Sequence, residues 1–183
     1  MFINEKTLKA SPEAARRQYV AVFQHALENC PLARTGAVAM LDQLGNKSLP
    51  AVDLVFMVDA GPEARIVAEV FAHLATGTHF EKGSGAHDVT LDRATWPTLS
   101  RTNTGPRGVA LFEDAERLNA TVARAWLTEH LRSDRGEATI FFVLGGPESR
   151  HLALINDVRV FARQQGARVG VRVLDFKRSD DDD

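Results

Sequence analysis

The chain has 183 residues, 44% of them hydrophobic and 25% charged, with a formal net charge of −2. That length gives room for one globular domain with its own core, and the near-neutral balance excludes a chain that binds polyanions by bulk electrostatics. The single cysteine, Cys30, excludes an intramolecular disulfide and a cysteine-cluster zinc site and fits a cytoplasmic protein, while no apolar run approaches the roughly 18 residues of a membrane span.

The start, "MFINEKTLKASPEAARR", carries charges where a signal peptide needs an apolar stretch. "SPEAARRQYVAVFQHALENC" predicts a helix. Ser11 can cap it, Pro12 suits its first turn, and Ala15, Tyr19, Val22, Phe23, Ala26 and Leu27 recur at helical spacing. Pro31 stops it, and "LARTGAVAMLDQLGN" is read as a shorter second helix ended by Gly45. Residues 1–48 thus form an N-terminal helical extension.

"AVDLVFMVDA" is an apolar run typical of a parallel strand buried on both faces. Gly61-Pro62-Glu63 then opens a helix with Ile66, Val67, Val70, Phe71 and Leu74 turned inward, ended by Gly77. Residues 77–108 are rich in Gly, Ser and Thr and hold at most one short strand, about Asp88 to Leu91. A connection this long is usually functional or mobile. "GVALF" predicts a short strand, followed by a helix with Leu118, Val122, Ala125 and Trp126 as its apolar face. "ATIFFVLGG" is a second doubly buried strand. The helix from Pro147 turns Leu152, Ile155, Val158 and Ala162 inward and closes at Gly166. In "ARVGVRVLDF", Val169, Val171 and Val173 share one face and Arg168 and Arg172 the other, as in an edge strand. Residues 180–183 are four aspartates, read as a solvated tail. Strands alternating with helices predict a single α/β domain over residues 1–179, a Rossmann-like three-layer sandwich on a mainly parallel sheet of four to five strands.

One short pattern occurs twice. "VDAGPEAR" and "VLGGPESR" follow the two buried strands, and Gly61, Pro62, Glu63 and Arg65 recur as Gly146, Pro147, Glu148 and Arg150, each 85 positions on. Each shared residue suits a helix start. Glycine turns the chain sharply, proline loses no helical hydrogen bond at the first position, and glutamate meets the positive helix end. The same place also suits a ligand, because open parallel sheets bind beyond the carboxyl ends of their strands and helix N-termini attract phosphate. Gly145, Gly146, Ser149 and Arg150 are the better candidate cradle, with Gly61 and Arg65 as the weaker copy. The usual glycine-rich phosphate motifs are missing, and Glu63 and Glu148 would repel a phosphate.

Carboxylates gather at strand ends: Asp59, then Glu113 and Asp114, then Asp175. If the first and third strands were neighbours, Asp59 and Asp114 could share a magnesium ion. "VALFEDAERLN" resembles the opening of the NYN/PIN-type metal-dependent nucleases, in which a strand ends in an Asp and an Asn follows. Arg117 stands where that Asn is expected, and "LGGPES" lacks the aspartates such enzymes carry later, so the likeness is read as convergence. His79, Glu81, His87 and Asp88 match no metal-ligand spacing, and Cys30 has no evident base. Arg168, Arg172, Lys177 and Arg178 form a small basic patch without stacking aromatics.

These features lead to three expectations. The first is a non-enzymatic module that binds a protein partner or a second copy of itself. The alternative is an enzyme or sensor for a nucleotide or another phosphorylated small molecule at the strand ends. The last is nucleic-acid binding through the basic final strand.

Overall fold

A computed structural model describes residues 17, 20–21, 23–76, 87–88, 107–112, 115–132 and 137–179. The predicted cap of the first helix, Ser11 to Glu13, lies outside them, as does the aspartate tail. Helical residues at 20–21 and 23–26 lead to α1, Pro31–Gly45. Pro31 does two things: it ends the preceding turn, and it opens α1 from the first helical position behind Cys30. Ala33, Ala37, Met40 and Leu41 form the buried stripe of α1.

The sheet has four long strands, β1 (Val52–Val58), β3 (Arg107–Phe112), β4 (Glu137–Val143) and β5 (Val169–Asp175), and a two-residue edge strand, β2 (His87–Asp88). All pairings are parallel and the order is β2-β3-β4-β1-β5. The helices between them are α2 (Glu63–Thr76), α3 (Ala120–Arg132) and α4 (Glu148–Gln164). Helices α1 and α2 cover one face, with Val55, Met57, Val109, Leu111, Phe141 and Leu174 beneath them. Helices α3 and α4 cover the other, over Leu54, Phe56, Phe112, Ile140 and Phe142. The result is the expected three-layer α/β sandwich. Every residue of β1 is buried, as its unbroken apolar run requires. Phe112, Phe142 and Phe56 lie side by side across three strands, with ring centroids 5.5 and 4.9 Å apart.

Several local expectations change. Arg107 and Gly108, read as the end of the long loop, are the first residues of β3. Ile66 is 38% and Leu152 43% exposed, because each flanks its helix's apolar stripe rather than lying in it. In α3 Ala123 and Leu127 are buried and Ala125 faces solvent, while the side chains of Val122 and Trp126 lie outside the described ones. Leu118 is buried in the turn before that helix. Of the short strand expected at about Asp88 to Leu91 only Asp88 is described; it belongs to β2, His87–Asp88, which pairs with Ala110 and Leu111 of β3, and residues 89–91 lie outside the described ones. Among the described residues no helix is long and apolar enough to cross a membrane.

Candidate functional site

The two Gly-Pro-Glu turns meet. Strands β1 and β4 are neighbours, and their connections leave in opposite directions on opposite faces of the sheet. After β1 the chain enters α2 and travels past β4 and β3; after β4 it enters α4 and travels past β1 to β5. That is a topological switch point, where open α/β sheets place a ligand crevice. Here backbone bonds carry the β1–β4 pairing on into the two turns. Leu144 N–H donates to Met57 O at 2.8 Å, Ala60 N–H to Leu144 O at 3.4 Å, and Asp59 N–H to Gly146 O at 2.6 Å. The exchange bends both turns into the left-handed region, with φ +51° at Asp59 and +93° at Gly146.

Several polar groups of the two turns are engaged within the chain. Gly145 N–H donates to Glu116 Oε1, and His151 Nε2 lies 3.0 Å from Gly145 O. A carbonyl only accepts, so the contact is a hydrogen bond in the tautomer that carries its proton on Nε2. The Arg150 side chain folds over Gly146, with Nη1 3.3 Å from where a β-carbon would stand. In the first copy Glu63 folds back over Gly61 and pairs with Arg178 at 3.0 Å. Arg65 and Ser149 are exposed.

Other predicted residues do not join this cluster. Strand β4 lies between β1 and β3, so the neighbouring-strand geometry behind a cation shared by Asp59 and Asp114 is absent. Glu113 and Asp114 themselves lie outside the described residues, as do His79 and Glu81, while His87 and Asp88 are on the far edge strand. Among the described residues no group of three His, Cys, Asp or Glu side chains could hold a metal. Asp175 Oδ1 accepts from Lys177 N–H at 2.9 Å and caps a turn. Cys30 is buried, its thiol donates to Phe176 O at 3.3 Å, and burial with nearby Glu63 pushes its pKa up, so it is held as a thiol. The basic patch is largely engaged, because Arg178 pairs with Glu63 and Arg172 turns inward to Asp53.

That last contact belongs to a cluster the residue pattern did not reveal. In the amino halves of the strands, Arg107, Thr139, Asp53 and Arg172 form a stepped line across β3, β4, β1 and β5 on the α1 and α2 face, with Asp53 and Thr139 in register and each arginine two residues out of it. Arg107, Thr139 and Asp53 are 4%, 0% and 1% exposed. The signal was a charged residue inside each of "AVDLVFMV" and "VGVRVLD", since a buried charge implies a partner.

Exposed apolar groups mark the carboxyl end of the sheet. Among the described residues four large hydrophobic side chains are exposed, Leu32, Ile66, Leu152 and Val160. Leu32, Ile66 and Leu152 lie in the first two turns of α1, α2 and α4. All three helices begin at that end; for α1 this follows from Cys30 bonding to Phe176 and Ser179 N–H donating to Asn29 O at 3.1 Å. Val160 lies towards the other end of α4. Compared with known proteins, the chain matches no family model, no curated sequence and no solved structure.

Proposed function

We propose that the chain is a non-enzymatic protein-binding or assembly module that docks through the carboxyl end of its sheet. One observation carries this: at that end Gly145, Glu63 and the backbone of both turns are already bonded inside the chain, while Leu32, Ile66 and Leu152 are left to solvent. A small polar ligand needs free donors and acceptors; a protein surface needs exposed apolar area around satisfied polar groups. The buried Cys30 thiol accords with a cytoplasmic setting. The experiment is light scattering of the pure protein over a concentration series and capture of partners from its source cells, with Ile66→Lys, Leu152→Lys and Val160→Lys compared. The first two substitutions should abolish association and the third should leave it. A monomer that captures nothing, or a Val160→Lys chain as defective as the others, would refute the reading.

A second reading is favoured by Glu116. The Gly145 N–H already holds a carboxylate, and Arg150 lies over the adjacent glycine, so the turn accepts an anion with its internal carboxylate as competitor. Removing that competitor by Glu116→Ala should let inorganic phosphate or a nucleotide raise the melting temperature, with about 2.7 kcal/mol of stabilisation at a hundred times the dissociation constant. No shift in the Glu116→Ala chain would end this reading.

A further inference from the structure

The buried charged row at the amino end of the sheet is not symmetric. Arg107 is anchored without Asp53. Its Nη1 donates to Ala138 O at 3.1 Å and to Thr139 Oγ1 at 3.3 Å, and its Nη2 donates to Pro50 O at 2.8 Å and reaches Glu137 Oε2 at 3.4 Å. Arg172 depends on Asp53. Its Nε is 3.2 Å from both carboxylate oxygens, but its one hydrogen points at Oδ1. Among the described residues no donor serves Oδ2, although the side chain is 1% exposed. The other end of Arg172 donates to Gln43 Oε1 of α1 at 2.6 Å, and its side chain is 22% exposed, which gives it a way out to water. Asp53 is thus a buried carboxylate with one donor, an open lone pair and two cations beside it.

We propose that Asp53 and Arg172 form an acid-sensitive latch: when Asp53 takes up a proton, Arg172 alone leaves the buried row, and the amino half of β5 loosens from the end of α1. The groups that face Asp53 decide the outcome. Strand β5 contributes Arg172, β3 contributes Arg107, β4 contributes Glu137 through Arg107, and α1 contributes only the neutral Gln43. The described side chains of α2 towards this end, Leu74 and Ala75, are apolar. Protonation removes the one anion that holds Arg172 among the described residues, while the carbonyls and hydroxyl that hold Arg107 do not titrate. Burial raises the Asp53 pKa against the pull of Arg172 and then Arg107, so the change falls above the ordinary carboxylate range. The latch is independent of docking at the opposite end of the sheet.

The test is NMR of the full chain with labelled arginine, read through an acid titration beside hydrogen exchange of the β5 amides. As Asp53 titrates, the Arg172 Nε–H should lose its order while that of Arg107 keeps it. Protection of the amides at 170–173 should fall by about ten- to a hundredfold, the range expected when a hydrogen bond to a charged group is lost. Asp53→Asn should show the same pattern at neutral pH. An Arg172 that stays ordered through the titration, or two arginines that loosen together, would overturn the latch; the wild-type titration decides it even if Asp53→Asn does not fold.

Discussion

The paired turns give a sharp comparison, because the same substitution at equivalent positions should have unequal cost. Gly146 has φ +93°, a conformation that L side chains rarely adopt, and a β-carbon there would stand 3.3 Å from Arg150 Nη1. Holding a non-glycine residue in such a sparsely populated region costs on the order of 1–3 kcal/mol. Arg150 is long and exposed, so its own displacement adds little. Gly61 is not among the positive-φ glycines. A β-carbon there meets Glu63 Oε2 at 2.6 Å, the far end of a side chain that can swing away. The loss is then the partly exposed Glu63–Arg178 pair, about 1 kcal/mol or less, offset in part by the reduced freedom of the unfolded chain. A domain of this size shifts by about 2–4 °C per kcal/mol. Gly146→Ala should therefore lower the melting temperature by roughly 2–12 °C, and Gly61→Ala should leave it nearly unchanged. Thermal unfolding of the two variants beside the parent measures this. If Gly61→Ala costs as much as Gly146→Ala, backbone strain does not distinguish the turns and the account given for them fails.

Other outcomes follow from the same geometry. Asp59 holds φ +51° at the exit of β1; Asp59→Gly should be neutral or mildly stabilising, whereas Asp59→Val should cost about 1–2 kcal/mol, and the reverse order in urea unfolding would contradict the assignment. Phe142 is 2% exposed and stacked on both Phe56 and Phe112. Phe142→Ala should cost about 3–5 kcal/mol, and a loss below about 1 kcal/mol would show that the three-ring row is not packed as described. For Asp53, the folded carboxyl titrates above the unfolded value of about 3.9. Between those two values the folded chain holds more protons, so this group's contribution to stability falls as pH rises through the window. Asp53→Asn should flatten that part of the stability–pH profile, and an unchanged slope would assign the proton to another group.

The local elements were readable because their physics is local. The unbroken run at Val52–Val58 required burial on both faces, and Gly-Pro-Glu required a helix start, whatever surrounded them. The meeting of the two turns was not readable, since it depends on β4 inserting beside β1, a matter of long-range pairing. The same order separates β1 from β3, so the neighbouring-strand premise behind a cation shared by Asp59 and Asp114 does not hold. Arg172 shows the limit most clearly. Alternation placed it correctly opposite the valines of an edge strand, but only the three-dimensional fold reveals that Asp53 waits beneath it. Ile66 and Leu152 were misplaced for a smaller reason: helical spacing defines a stripe, and a residue on its border belongs to neither side.

The position of β1 between β4 and β5 also bears on how the chain is made. During synthesis β1 emerges with neither neighbour yet translated; β4 begins at Glu137 and β5 at Val169. Through that interval a seven-residue apolar strand has both edges open, the state most prone to pair with another nascent chain. Asp53 is the one charge in that run. Its burial is unfavourable in the finished sheet, yet a charge inside an apolar strand is also what lowers the tendency of such a segment to pair with other chains before its partner strands are made.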